Sequence, residues 1–419
     1  MLLETLSDIF LRTHRVVLTE VWPFFTAYYV QAVLVTLPDT RWMRLAVMGA
    51  AASVASKGLQ NWRFTEETSP FASFNILIGV RFLCRLDLNM MLTFLFRQFQ
   101  CGVPMLMMNI VIWGVRQEPY KRLDGPQKTI MDALFNGLDL TMSMTAYGWE
   151  HGLRLKTKPA PAPSRLSFVL GRLAAAVPWL LLADLVTLIL IKYGAPIDPA
   201  NATLITIFDP TLPTVQRYLK GSLLTFVSGV AIAGALHAVS CILFAICVIF
   251  GSRPEKCVGG IDEPWRSTSI ADFWGRRWHQ WTRFTFVNFG GKPLAALTGT
   301  GRAGVVLGTF LASGIAHDLG FMKMPGNMGS SGVSTVFFTM MGVGAVLEQL
   351  WTKATGWKVD GALGWLWTML WTLYWGSGLV DGACRIGMLF LIGMTSIPDS
   401  QHPAKLAFDF AAKLGVVSP

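Results

Sequence analysis

Long apolar runs separated by short polar segments dominate the chain, and they predict helices that cross a membrane. A bilayer core needs about 20 consecutive helical residues per crossing. Six runs are close to that length or longer, at residues 16–37, 167–193, 219–250, 303–321, 333–351 and 363–395. The last run is long enough for one tilted span or for two short ones.

Four other apolar stretches are shorter, polar-spotted or interrupted by charge, at residues 43–56, 71–83, 88–115 and 130–149. Because charge inside a membrane is expensive, we expect the interrupted stretches to line a protein interior or to lie along the membrane surface. Taken together, the pattern predicts an all-α polytopic membrane protein with roughly eight to ten transmembrane helices and additional interfacial amphipathic helices.

Composition agrees with this pattern. Of the 419 residues, 53% are hydrophobic and 14% are charged, whereas an ordinary soluble domain has about 25% charged residues. This balance excludes a soluble enzyme, a disordered chain and a compact nucleic-acid binder. The net charge of +10 is therefore assigned to cytoplasmic loops and anionic lipid headgroups rather than to nucleic acid.

The distribution of basic residues predicts an orientation. Residues 151–172 contain five Lys or Arg and no acidic residue, so the positive-inside rule places them in the cytoplasm. One span later, residues 193–218 are less basic and contain the sequon Asn201-Ala202-Thr203, which we expect in the lumen. The following span returns the chain to the cytoplasm before Gly251.

The six cysteines show no CxxC pair and no zinc-type spacing. We therefore expect neither a metal site nor a disulfide framework. The chain is expected to form one integral-membrane domain over residues 1–419, with the chemistry concentrated in residues 263–325.

A tryptophan-rich polar stretch at 263–293 is the least membrane-like part of the chain. On a helix, Asp272, Arg276, His279 and Arg283 form one polar stripe, and three tryptophans fall on a different face. The pattern predicts an amphipathic helix at the cytoplasmic interface. A surface anchor without chemistry is the alternative interpretation.

His317 ends an almost uncharged run that begins at Ala303. An ionisable residue at membrane depth is a candidate functional residue, although a packed core histidine is the common alternative. Burial favours a neutral imidazole, which is able to accept a proton as a general base. His237 is interpreted as a packed histidine, and Glu348 and Asp381 as possible pocket residues or helix-packing residues.

The segment Ser269-Ile-Ala-Asp-Phe-Trp-Gly-Arg-Arg-Trp-His-Gln280, followed by Ser313-Gly-Ile-Ala-His317, resembles the membrane-bound O-acyltransferase superfamily, in particular its wax-synthase-like branch. The resemblance implies that His317 is the catalytic base and that His279, 38 residues earlier, binds the thioester carbonyl or positions the acceptor. It also implies further substrate-binding residues, which are Asp272, Trp274, Arg276, Arg277, Trp278 and Ser313. In place of an N-terminal glycine-containing segment of that branch, this chain has Arg81-Phe82-Leu83-Cys84.

The resemblance implies transfer of an acyl group, with acetyl preferred, from acyl-CoA to the hydroxyl of a lipophilic acceptor such as a terpenoid or related secondary metabolite. Acyl-CoA would be a co-substrate, with no resident cofactor and no metal, and the location would be the endoplasmic reticulum. Long-chain ester synthesis on fatty alcohols or sterols is the alternative within the family. A prenyltransferase is disfavoured because no aspartate-rich motif occurs, and a non-catalytic transporter or scaffold is disfavoured because no internal repeat is evident. The acceptor and the oligomeric state stay open.

Overall fold

A computed structural model describes residues 21–61, 88–123, 125, 129–142, 145–152, 164–198, 201–258, 260–321 and 331–385. Helices account for most of these residues, as predicted. The first six are α1 (Trp22–Leu34), α2 (Arg41–Asn61), α3 (Leu88–Val115), α4 (Ile130–Met142), α5 (Arg165–Tyr193) and α6 (Thr214–Ile249). Between α5 and α6 the chain forms an antiparallel hairpin of β1 (Ala195–Asp198) and β2 (Asn201–Thr206).

The second half begins with a short helix that we call the motif helix. It is one α-helical turn, Ile270–Asp272, followed by a π-helical turn, Phe273–Arg277. Helix α7 likewise has a π-helical turn, Val287–Gly291, between Arg283–Phe286 and Lys292–Thr298. The remaining helices are α8 (Arg302–Phe321), α9 (Val333–Thr355) and α10 (Gly361–Arg385).

Within the described ranges, four helices are long and apolar enough to cross a membrane, namely α5, α6, α8 and α9. They confirm four of the predicted spans and the polytopic class. The predicted stretch at 71–83, the segment Arg81–Cys84, and the end of the 363–395 run lie outside the described residues, as do residues 153–163 of the basic loop.

One prediction about the bounds of a helix was wrong. The 130–149 stretch does not form one helix, because α4 ends at Met142 and Trp149 instead pairs with Arg122 in an isolated β-bridge. The indole of Trp149 donates a hydrogen bond to Asp139 at 3.0 Å, which holds the returning chain against α4. The 193–218 loop also contains the β1–β2 hairpin, which the helical periodicity did not indicate.

Small residues allow the helices that frame the candidate site to approach closely. A Cβ atom added to Gly290 of α7 would lie 2.5 Å from the Cβ of Ala312 on α8. A Cβ at Gly344 of α9 would lie 2.5 Å from Ile270, at the start of the motif helix. Close packing through small residues is how membrane helices associate without a hydrophobic driving force. Helices α7, α8, α9 and the motif helix therefore form the scaffold of the site.

Candidate active site

The motif helix begins and ends through side-chain hydrogen bonds. Ser269 caps its start, accepting the Asp272 amide at 2.9 Å. At the other end, the side-chain amide of Gln280 donates to the main-chain oxygens of Trp274, at 3.2 Å, and Trp278, at 2.6 Å. Carbonyls at a helix end lack intrahelical partners, and Gln280 supplies one.

Because the motif helix ends at Arg277, the predicted polar stripe over residues 272–283 is wrong. Trp278 has extended backbone angles, φ −75° and ψ 154°, and the next helix begins at Arg283. The pair at i and i+4 survives, since Arg276 binds Asp272 at 2.7 Å. His279 instead lies in the turn between two helices, where periodicity does not determine its direction.

Asp272 holds both arginines that follow it. Its carboxylate oxygens accept hydrogen bonds from Arg276 Nε at 2.7 Å and from Arg277 Nε at 2.8 Å. Asp262 lies 3.7 Å from Arg276 and 3.9 Å from Arg277. Burial would raise the pKa of Asp272, but the hydrogen bonds from the two arginines outweigh it, and the pKa lies below its ordinary value. The positive charge of both arginines is thus already matched by carboxylates.

Arg283 differs from the other arginines of this region. Its guanidinium donates to two neutral oxygens, the main-chain oxygen of Gly275 at 3.1 Å and the side-chain oxygen of Gln280 at 3.3 Å. Its side chain is exposed. Arg266, by contrast, pairs with Glu263 at 2.8 Å. Arg283 is therefore the arginine of the motif region best placed to meet an anion.

The orientation of His317 on α8 is fixed by its own helix. Its Nδ1 lies 2.7 Å from the main-chain oxygen of Ser313, one turn earlier. Because a carbonyl oxygen only accepts, Nδ1 must bear the hydrogen in the neutral imidazole. The lone pair therefore lies on Nε2. Ser313 is buried, and its main-chain oxygen makes this contact with His317.

Asp318, the neighbour of His317, binds the start of the next helix. One carboxylate oxygen accepts the Ser334 amide at 3.0 Å, and the other accepts the amide and hydroxyl of Thr335 at 3.0 and 2.6 Å. A buried carboxylate at a helix N-terminus pairs with unsatisfied amides and with the positive end of the helix dipole. Asp318 thus fixes α9 against α8 beside His317.

Aromatic contacts connect the two candidate histidines. The ring of Phe338 on α9 lies 4.5 Å from that of His317 and 5.5 Å from that of Trp274. Trp274 in turn lies 5.3 Å from Trp278, whose ring lies 5.7 Å from that of His279. Burial, and then the nearby His317, lower the pKa of His279 to about 3 from its ordinary 6.5. The structure therefore brings His279 and His317 together, with His279 neutral.

Three buried polar atoms of the motif region have no hydrogen-bond partner among the residues that the structure describes: His279 Nδ1, Trp274 Nε1 and Trp281 Nε1. An indole N–H is a donor only. Leaving such groups unpaired is costly, so buried examples call for a specific explanation. The group that complements the two indoles is a hydrogen-bond acceptor, such as a carbonyl oxygen, and His279 Nδ1 can donate to the same kind of group when it bears the ring hydrogen.

This site coincides with a known family signature. Residues 260–340 match the sequence model of the membrane bound O-acyl transferase family. The match includes the motif helix, α7, α8 and the start of α9, and so both histidines. It supports a membrane acyltransferase. No curated protein sequence matches the chain.

Sequence reasoning missed two contributors to the candidate site. Phe338, which bridges His317 and Trp274, falls within an ordinary apolar run and has no distinguishing signal. Gln280 directly follows the motif histidine, and a polar residue there is a signal for a helix end. Glu348, interpreted from the sequence as a pocket or packing residue, contacts the motif helix directly.

Proposed function

We propose that this protein is an integral-membrane O-acyltransferase that moves an acyl group from acyl-CoA to the hydroxyl of a lipophilic acceptor. The observation that carries the proposal is the hydrogen bond from His317 Nδ1 to Ser313. It leaves Nε2 with a lone pair, as a general base requires. The family match over the same residues supports this reaction class.

In the proposed step, His317 Nε2 takes the proton of the acceptor hydroxyl while the hydroxyl oxygen attacks the thioester carbonyl carbon. The C–O bond forms and the carbonyl oxygen becomes negatively charged. The intermediate then collapses, the C–S bond breaks, and the thiolate of CoA takes up the proton from the imidazolium of His317. The products are the ester and free CoA, and the base is regenerated.

The unpaired donors of the motif region suit the developing oxyanion. Trp274 Nε1–H and a neutral His279 with its hydrogen on Nδ1 would both donate to the carbonyl oxygen of the thioester. Preorganised donors are effective because they need no rearrangement as charge develops. Trp274 contacts Phe338, which contacts His317, so the Trp274 donor and the base belong to one aromatic cluster.

The donor and acceptor would approach from different sides. CoA is anionic and cytosolic, and Arg283 is an exposed cation with neutral partners on the predicted cytoplasmic segment. The wall beside His317 is apolar, formed by Phe321, Phe338, and, around Trp274, Phe310 and Phe337. Such a surface favours a lipophilic alcohol.

The finer assignments rest on the resemblance to the wax-synthase-like branch. They are an acetyl donor, a terpenoid or related secondary-metabolite acceptor, and location in the endoplasmic reticulum. Synthesis of long-chain esters is the alternative within the same chemistry. A transporter has no need for an oriented histidine beside buried hydrogen-bond donors, so the site favours catalysis.

A direct assay tests the proposal. Purified protein in lipid nanodiscs is incubated with radiolabelled acetyl-CoA or palmitoyl-CoA and with one terpenoid alcohol, one long-chain alcohol or one sterol. We expect label in the organic phase with at least one acceptor, and none with a His317→Ala protein. If folded, monodisperse protein transfers neither acyl group to any of the acceptors, the proposed function is overturned.

A further inference from the structure

Three buried carboxylates on α8, α9 and α10 each accept main-chain amides of another element. Asp318 holds the start of α9, Glu348 of α9 holds the start of the motif helix, and Asp381 of α10 holds the end of the hairpin. Asp318 contacts the start of α9, and Glu348 lies further along the same helix. Helix α9 therefore connects the residue next to His317 with the helix that precedes His279. The third leads away from the site.

The contacts of Glu348 are specific to the first turn of the motif helix. One carboxylate oxygen accepts the Ile270 amide at 2.6 Å and the indole N–H of Trp367 at 3.0 Å. The other accepts the Ala271 amide at 3.0 Å. Glu348 is 6% exposed, and these three donors are neutral. Its charge is therefore matched by the unsatisfied amides of a helix N-terminus.

Close packing makes this contact a rigid one. Gly344 lies one turn before Glu348 on α9, and it is there that Ile270 and Trp371 approach the α9 backbone. Trp371 donates its indole N–H to the main-chain oxygen of Met340 at 2.9 Å. The first turn of the motif helix is thus fixed both by the hydrogen bonds of Glu348 and by the surface of α9 beside it.

The same helix, α9, is fixed at its other end next to His317. Asp318 binds the amides of Ser334 and Thr335, and Phe338 contacts the rings of both His317 and Trp274. Thr335 and Glu348 are separated by about 20 Å along the helix. Helix α9 therefore sets the spacing between the base and the segment that contains Trp274 and His279.

We infer that Glu348 is a positioning residue for acyl transfer, which sets the place of Trp274 and His279 relative to His317 without contacting the reacting atoms. This inference rests on the proposed function. In a Glu348→Gln variant, an NH₂ group would face one main-chain N–H of the motif helix. Because two donors cannot pair, that hydrogen bond is lost and the first turn is held less firmly. Small displacements of positioned groups cost up to about 100-fold in rate.

Two measurements on Glu348→Gln test the inference. Hydrogen–deuterium exchange of peptides spanning residues 268–278 measures how well the first amides of the motif helix are protected, and it needs no substrate. We expect faster exchange at Ile270 and Ala271 in this variant. Steady-state kinetics should then show a kcat lowered by about 100-fold with both KM values within about twofold of wild type, because alignment and not binding is lost.

Asp381→Asn is the matched control. Asp381 is also buried and also accepts a main-chain amide, from Ile207 at 2.9 Å, together with the hydroxyl of Thr206 at 2.6 Å. It lies about 20 Å along α10 from Trp367. This variant should lose thermal stability while its kcat stays within about twofold of wild type.

If Glu348→Gln does not fold, Trp367→Phe replaces it, because this change removes one of the three donors and keeps the carboxylate. We expect kcat to fall by roughly threefold or more. Folded Glu348→Gln or Trp367→Phe with unchanged kcat, or Asp381→Asn with an equal loss, would overturn the inference. Wild-type protein with protected Ile270 and Ala271 amides but no acyl transfer would instead overturn the proposed function.

Discussion

His317 donates its Nδ1 hydrogen to the main-chain oxygen of Ser313 at 2.7 Å, one helical turn earlier. The bond orients the ring and leaves Nε2 unprotonated. We predict that His317→Ala lowers kcat by at least about 100-fold, a typical contribution of a general base. Turnover of alcohol and acyl-CoA by purified protein measures it.

His237 provides the control for this substitution. It lies on another candidate span, α6, with its ring 5.6 Å from that of Trp179. His237→Asn should retain kcat within about threefold of wild type. Near-normal turnover by folded His317→Ala would remove His317 from the mechanism, whatever the control shows.

His279 is proposed to act as a hydrogen-bond donor and not as a base. Its pKa is lowered to about 3 from the ordinary 6.5, first by burial and then by His317, so the ring is neutral near neutral pH. An asparagine side chain also presents an N–H donor, whereas alanine presents none. We therefore predict that His279→Asn keeps at least about tenfold more kcat than His279→Ala. Equal losses in the two variants would contradict a donor role.

Periodicity found the helices but not the turn that contains His279. The runs at 303–321 and 333–351 match α8 and α9 closely, because a span through lipid must be long, apolar and helical. The motif helix instead ends at Arg277 through contacts made by Gln280, which no period of 3.6 residues describes. Long-range contacts such as Glu348 to Ile270 depend on tertiary packing and were equally invisible in the sequence.

The arginines of the motif region are predicted to differ in their effect on the acyl donor. The family resemblance implies that Arg276 and Arg277 bind substrate, and that assignment stays a prediction, but both are bound to Asp272. Among the described residues, the hydrogen-bond acceptors of Arg283 are the neutral oxygens of Gly275 and Gln280. We expect Arg283→Gln to raise the acyl-CoA KM by roughly fivefold or more and to leave the alcohol KM unchanged.

The double variant Arg276→Gln, Arg277→Gln is the comparison. Its donor KM should rise less than that of Arg283→Gln, and its thermal stability should fall, since Asp272 loses both partners. The effect of Arg283→Gln should shrink at high salt, because exposed charge pairs are screened within about 8–10 Å at ordinary ionic strength. If the acyl-CoA KM rises more in the double variant than in Arg283→Gln, the phosphates of CoA are bound by Arg276 and Arg277 instead.

The predicted orientation is testable at Asn201, which begins β2. If the hairpin is lumenal and Gly251 cytoplasmic, expression in a eukaryotic cell should add one glycan that is removed by endoglycosidase and is absent from Asn201→Gln. Cysteines introduced at Gly251 and Asn201 provide the second measurement. In sealed microsomes, a membrane-impermeant thiol reagent should label the first without detergent and the second only after permeabilisation. The reverse pattern would invert the topology.

His151 is predicted to make the protein sensitive to acid. Its ring stacks on Tyr120 at 3.8 Å and lies 4.6 Å from that of Phe284, and the guanidinium of Arg116 lies over the Tyr120 ring at 4.0 Å. Burial, and then the positive charge of Arg116, lower the pKa of His151 to about 3 from 6.5. Between these values the unfolded chain binds a proton here that the folded protein does not.

The free energy of unfolding should therefore fall as the pH is lowered from about 6.5 toward 3, with the contribution of the neutral ring complete above about 6.5. His151→Phe keeps an aromatic ring in the stack and removes the proton, so its thermal midpoint should fall less steeply over this range. Tyr120→Phe is the control, because burial raises the pKa of Tyr120 to about 12 and it does not titrate there. Tryptophan fluorescence during heating in detergent at a series of pH values measures the slopes. Equal slopes for wild type and His151→Phe would show that the folded protein protonates His151 as readily as the unfolded chain does.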